Sequence, residues 1–291
     1  SKEETILPVN NVLNILQEKT RDARIFGLGK ANLKTNLATH FKIYDPNYYD
    51  PLHSKRYSEL VYYANTAALP AVLPRSDVEI NAEATPSAEI TSRRNRLFDL
   101  LNVQFLLYKK EEFNYMHNNL INTIWENDNW ILFRRNQSPP RVYLVNNYEV
   151  ITGDNLILKR LFDPAFNPGK SVVLEKNPTV IQSSLNRDGE ISLVKYKENE
   201  VLINTINKAS SLLVLSDNYF PGWNVYIDGI KDSIYRANYS FRAVFIPPGK
   251  HLIRFSYEPI SFMAGLAVST FCFLIYFCSL FLFLIYRRKK Y

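Results

Sequence analysis

At 291 residues, with a formal net charge of +7 and two cysteines, the chain is long enough for two globular domains, yet its charge is too mild to argue for nucleic-acid binding. Four of the positive charges are Arg287, Arg288, Lys289 and Lys290 at the C-terminus, which leaves +3 scattered over the remainder. Both cysteines, Cys272 and Cys278, fall in one apolar run, so everything before it must fold without disulfides; this favours a bacterial surface protein over a secreted animal domain.

In chain order, the first residues, Ser1-Lys2-Glu3-Glu4, show neither Met nor a signal-peptide pattern and read as part of a longer protein. Val12, Leu13 and Leu16 at helical spacing after Asn10-Asn11 predict a short helix. "ARIFGLG" reads as a buried strand ending in glycines. "THFKIYDPNYYDPLHSKRYSELVYY" is crowded with Tyr and interrupted by two Asp-Pro pairs, which forbid a continuous helix; its first half reads as an ordered loop and Tyr57 to Tyr63 as helical. A helix from Arg93 to Leu101, a strand from Val103 to Tyr108 and a strand in "NWILFRR" follow. Ser138-Pro139-Pro140 then marks a boundary.

Beyond it, "RVYLVNN", "KSVVLEK", "EISLVKYK", "EVLINTI", "SLLVLSD", "WNVYID", "SIYRA", "FRAVFIP" and "KHLIRFSYE" recur as short strands with turn residues between them. One helix, "TGDNLILKRLF", interrupts them, with Thr152 as its expected cap. In "YFPGWNVYIDG", Trp223, Val225 and Ile227 share a face, and Asp228-Gly229 signals a tight hairpin turn. "PPGK" at Pro247 to Lys250 reads as closing a last hairpin.

From Pro259 to Tyr286 no residue is charged, which is long enough to cross a bilayer. The basic cluster after it predicts a cytoplasmic tail and an extracytoplasmic bulk. The expected class is therefore α+β. It comprises a mixed α/β region over 1–138, an antiparallel β-sandwich over 139–258, a transmembrane helix over 259–286 and a basic cytoplasmic tail over 287–291.

Catalytic motifs fail on inspection. "NPGKS" lacks the first glycine of a phosphate-binding loop because Pro164 stands there, and "GLGKAN" has Asn32 where a dinucleotide fingerprint needs its last glycine. Asp45, Asp50 and His53 lie close in sequence, but Asp before Pro is turn chemistry, so neither metal nor cofactor is expected. The Tyr-rich loop remains the candidate substrate site. Tyr44, Tyr48 and Tyr49 offer rings to stack on sugars, Asp45 and Asp50 accept hydroxyl hydrogen bonds, and His53, Lys55 and Arg56 meet a phosphate. Arg56, as a loop cation, is expected to contribute little to a core. The competing reading is a structured loop pinned against its own domain.

Three stretches carry a resemblance: "LFDLLNVQFLLY", then "PPRVYLVNNYEV" through "FDPAFNPGKSVVLE", then "LLVLSDNYFPGWNVYIDGIKDSIYRANYSFRAVFIPPGKHLIRFSYEP" before the apolar run. This order resembles the C-terminal part of the bacterial membrane protein YfhO family, and "IYDPNYYDPLHSKRY" is similar to a Tyr-Asp-Pro-Leu segment of it. The resemblance implies a polytopic glycosyltransferase of GT-C architecture, using a polyprenyl-phosphate sugar to decorate a cell-envelope polymer such as lipoteichoic acid. It implies a catalytic carboxylate in an early outer loop that has no counterpart here, so no catalytic residue is carried over. The alternative is a non-catalytic, membrane-anchored module that binds a glycan or a protein.

Overall fold

The computed structural model describes residues 11–20, 23–33, 36–73, 76–113, 121–178 and 189–289; the expected cap Asn10 and the tail residues Lys290 and Tyr291 lie outside them. In the first region, helix α1 (Asn11–Thr20) precedes strand β1 (Arg24–Gly27), and a short ribbon pairs β2 (Tyr48–Tyr49) with β3 (Asp77–Val78), helix α2 (Lys55–Thr66) lying between them. Helix α3 (Ala88–Leu100) starts at Ser87, whose hydroxyl accepts from the Ile90 N–H. Strands β4 (Val103–Lys109), β5 (Ile121–Glu126) and β6 (Trp130–Arg135) complete a four-stranded sheet ordered β1-β4-β6-β5. Strand β4 is buried at five of its seven positions because both faces are covered. Phe105 and Leu107 pack with α1, while Val103, Leu106 and Tyr108 pack with α2 and α3.

The second region holds β7 (Val142–Val145), β8 (Asn147–Val150), helix α4 (Asp154–Leu161), β9 (Ser171–Leu174), β10 (Gly189–Lys197), β11 (Glu200–Asn207), β12 (Ser211–Asn218), β13 (Trp223–Ile227), β14 (Ile230–Asp232), β15 (Tyr235–Ala237), β16 (Phe241–Ile246) and β17 (Gly249–Tyr257). They form sheets ordered β10-β11-β17-β13-β14 and β7-β12-β16-β15-β9-β8. Val201, Ile203, Val225, Ile253 and Phe255 of the first sheet meet Val142, Leu213, Leu215, Val244 and Ile246 of the second in one core, which makes the pair a sandwich. Strand β12 is buried on both faces: Leu213 and Leu215 point into the sandwich, and Leu212 and Val214 into a second cluster with Tyr143 and Val172.

Three expectations change. The sandwich is not wholly antiparallel, because β8 and β9 run parallel; α4 is the crossover, and a parallel pair needs one. That helix is capped at Gly153 rather than Thr152, with no side-chain cap bond. Pro247 to Lys250 does not close a hairpin, since β16 and β17 belong to different sheets and the segment carries the chain across the sandwich. The Asp228-Gly229 turn holds as read. Both residues have positive φ, 50° and 84°, as a primed turn between paired strands requires.

Helix α5 (Ile260–Lys289) is exposed along its whole described length. Its 30 residues span about 45 Å, against a hydrocarbon core of about 30 Å. Only Glu258 and Pro259 separate it from β17, and they are fixed. Glu258 N–H donates to the Gly222 carbonyl at 2.7 Å, and its carboxylate accepts from Tyr226 at 2.9 Å and Asn224 at 3.1 Å. Gly222 is required there: at φ 106°, an added Cβ would stand 2.9 Å from the Tyr257 ring and 3.1 Å from Pro259. The Pro-Gly-Trp turn thus fastens the sandwich to the base of the membrane helix.

Candidate functional site

The Tyr-rich loop is ordered by its own polar side chains. Asp45 Oδ1 accepts from Asn47 N–H at 2.7 Å and Asp50 Oδ1 from Leu52 N–H at 2.8 Å, so both aspartates shape turns. Asn36 brackets Tyr49, accepting from its N–H at 3.1 Å and donating to its carbonyl at 2.8 Å. The Tyr48 ring lies 5.4 Å from that of buried Tyr57, which donates to the Pro46 carbonyl at 2.7 Å.

These residues face two ways. Tyr49 and Lys55 are exposed, Lys55 standing 3.6 Å from Glu59, and His53 sits between them with Nδ1 2.9 Å from the Ser58 hydroxyl. Tyr44, Asp45 and Tyr48 turn inward. Burial raises the Tyr48 hydroxyl to about 12 and the Asp45 carboxyl to about 7, and Asp45 Oδ2 is buried without a hydrogen-bond partner. The Tyr44 ring lies 4.3 Å from the Arg141 guanidinium and edge-on to Tyr196 at 5.8 Å.

Arg56 corrects the expectation of a loop cation with little bearing on the fold. Its guanidinium lies 2.6 Å from Glu175 and 3.0 Å from Asp154, and covers the Tyr239 ring at 4.6 Å. Arg236 holds the other Glu175 oxygen at 3.1 Å, and the Tyr239 hydroxyl donates to Glu59 at 2.6 Å. Arg56 therefore binds α2 to the second region. Among the described residues no group of three or more His, Cys, Asp or Glu gathers as a metal site.

Residues 174–269 match the family model for Bacterial membrane protein YfhO. The matched segment begins at the last residue of β9, takes in the whole β10-β11-β17-β13-β14 sheet and β12, β15 and β16 of the other, and ends within α5, in agreement with the C-terminal part of that family. No curated protein and no solved structure matches the chain. The YfhO match and the exposed apolar α5 together make this a membrane protein. Of the residues that tie α2 to the second region, Glu175, Arg236 and Tyr239 belong to the YfhO segment and Asp154 precedes it.

Sequence reasoning missed one cluster in the same junction. Arg24, Arg141, Asp217 and Arg242 converge there, with Tyr196 donating to Asp217 at 3.0 Å. No local motif announces it, since its members are spread from position 24 to position 242; a charged residue inside an apolar strand, as in "SLLVLSD" and "FRAVFIP", was the available signal.

Proposed function

We propose that the chain is the extracytoplasmic C-terminal region and last membrane helix of a bacterial membrane glycosyltransferase. It takes its sugar from a polyprenyl-phosphate donor and decorates an envelope polymer such as lipoteichoic acid. The observation that carries this reading is the YfhO match over residues 174–269, which extends from the end of β9 into α5. The mixed region 1–138 and the sandwich 139–258 stand outside the membrane, and the basic residues from Arg287 onward lie in the cytoplasm. In this reading Tyr49, Asp50, His53 and Lys55 form the face that meets the sugar and its phosphate. Tyr44, Asp45, Tyr48 and Arg56 hold that face on the fold.

Sugar transfer is tested with membranes carrying the complete gene product. Tyr49→Ala and Lys55→Ala are expected to cut transfer from a polyprenyl-phosphate sugar about tenfold, with an unchanged melting temperature, as surface substitutions leave folds intact. Absence of transfer by the unmodified protein overturns the enzyme reading. Transfer unaffected by either substitution returns the loop to a purely structural role. A non-catalytic binding module is the second reading, favoured by the engagement of Tyr44, Asp45, Tyr48 and Arg56 in fold contacts; glycan binding without transfer would support it. Sidedness is tested after replacing Cys272 and Cys278 by Ser. Ile230→Cys, at the exposed hairpin, should react with an impermeant thiol reagent on intact cells, and Tyr291→Cys only after permeabilisation. The reverse pattern sinks the assignment.

A further inference from the structure

One face of helix α3 supplies much of the polar wall of a cavity of about 500 Å³. Thr91, Arg94, Asn95, Phe98 and Asp99 repeat at helical spacing along that face. Tyr108 of β4 and Arg135 at the end of β6 line it as well. So do Asn167 and Pro168, from the connection between α4 and β9, so the cavity lies between the N-terminal region and the second region.

Arg94 sets the character of the cavity. It is only 5% exposed, yet it forms no ion pair among the described residues. Its Nη1 donates to the Asn81 and Glu83 carbonyls at 3.1 and 2.7 Å, while the buried Nε and also Nη2 find no partner among those residues. A cation held in the interior by neutral carbonyls alone keeps much of its desolvation cost, which an oxyanion relieves. The neighbouring charges do not supply one. Asp99, the one acidic side chain among the described residues that line the cavity, accepts at Oδ1 from Arg135 at 2.7 Å. Half-buried Arg96, a second cation on the lining, donates to the Asp163 and Pro164 carbonyls at 3.3 Å each. Asp99 Oδ2 and the side chains of Thr91, Asn95 and Gln137 make no hydrogen bond among the described residues, so donors and acceptors for hydroxyl groups stand beside the unpaired cation. Phe98, Leu106 and Tyr108 give the same cavity an apolar wall.

We propose that this cavity binds an acidic sugar, a pyranose ring that carries a carboxylate. The carboxylate meets the Arg94 guanidinium, whose unbonded Nε and Nη2 form the edge that a planar carboxylate matches, and one negative charge then balances one positive charge. The hydroxyl groups bond Thr91, Asn95, Gln137 and the free oxygen of Asp99, and the C–H face of the ring lies on the apolar wall. Each part of the ligand answers a different feature. A neutral sugar leaves Arg94 unpaired, and a bare carboxylate leaves the polar side chains and most of the volume unused. None of the candidate residues of the Tyr-rich loop lines this cavity, so the proposal is independent of the transferase reading.

The test uses the full chain in detergent micelles, titrated with glucuronate, glucose or acetate at constant ionic strength while the melting temperature is followed. Glucuronate should raise the melting temperature with concentration, and glucose and acetate should leave it unchanged. No response to glucuronate overturns the proposal. An equal response to glucose overturns the role of the charge, and an equal response to acetate overturns the sugar. Arg94→Met, an apolar replacement of similar length, should weaken glucuronate binding about tenfold, as loss of a charge-assisted hydrogen bond does. Should that variant not fold, Arg96→Met, at a half-buried position on the same lining, should weaken it about threefold. Unchanged glucuronate affinity in whichever of the two variants folds overturns the assignment to this cavity.

Discussion

Two charged networks join the N-terminal region to the sandwich, and they are built on opposite plans. Around Arg56, two cations (Arg56, Arg236) meet two anions (Asp154, Glu175) at 2.6–3.1 Å, with every side chain at least 24% exposed. Around Asp217, three cations meet one anion and none of the four side chains exceeds 14% exposure. The first is a balanced clamp that water can screen, of the kind that contributes modestly to stability. The second gathers its charges where screening is weakest, so its members are far more sensitive to loss of a partner. Burial, rather than the number of ion pairs, sets how strongly each network depends on its partners.

The sharpest way to break this contrast is to remove the single carboxylate. Asp217→Asn removes the carboxylate that Arg24, Arg141 and Arg242 share and should cost about 3–5 kcal/mol, measured by chemical denaturation of the full chain in detergent. A loss below about 1 kcal/mol would mean that the arginines already have other compensation, and the contrast between the networks would collapse.

The next effect lies in pH. Asp45, in the same loop as Tyr44, has its folded pKa raised to about 7 by burial. Between about pH 4 and pH 7 the folded state therefore holds more protons than the unfolded one. Stability should fall as pH rises through that window, by up to about 1.4 kcal/mol per unit, and level off above it. Asp45→Asn retains an acceptor for the Asn47 N–H and should flatten the curve. An unaltered pH slope in the variant would show that Asp45 is ionised in the fold at no cost.

The clamp should respond less. Tyr239→Phe deprives buried Glu59 of its 2.6 Å donor and should cost about 1–3 kcal/mol. Arg56→Met should cost about 1 kcal/mol, and raised salt should shrink the difference. A salt-insensitive loss above about 3 kcal/mol would place Arg56 with the buried network instead.

Local signals in the sequence were reliable wherever a few neighbouring residues determine the outcome. Asp228-Gly229 folds as the turn it spells, because positive φ at two successive positions is a local demand. The charge-free run before Arg287 is one exposed helix, because composition alone decides which solvent it suits. The Pro247 to Lys250 segment misled, because the same residues serve a hairpin or a crossing between sheets, and only the partners of β16 and β17 distinguish them. The pairing of β8 with β9 was hidden for a similar reason, since a parallel partner lies a whole helix away.

The candidate loop divided along the same line. Its turns at Asp45 and Asp50 were legible from Asp-Pro spacing, whereas the fate of each side chain was not. Tyr49 and Lys55 face solvent, while Tyr44 lies beside Arg141 and Arg56 reaches Glu175, more than a hundred positions away. Sequence by itself determined the short strands, the tight turns and the membrane helix of this protein, since period, turn chemistry and hydrophobicity act over a few residues. Tertiary structure alone decided which charges share a buried space, because Arg24, Arg141, Asp217 and Arg242 become neighbours only when the strands of the sandwich and the preceding region close over them and exclude the water that would otherwise screen them.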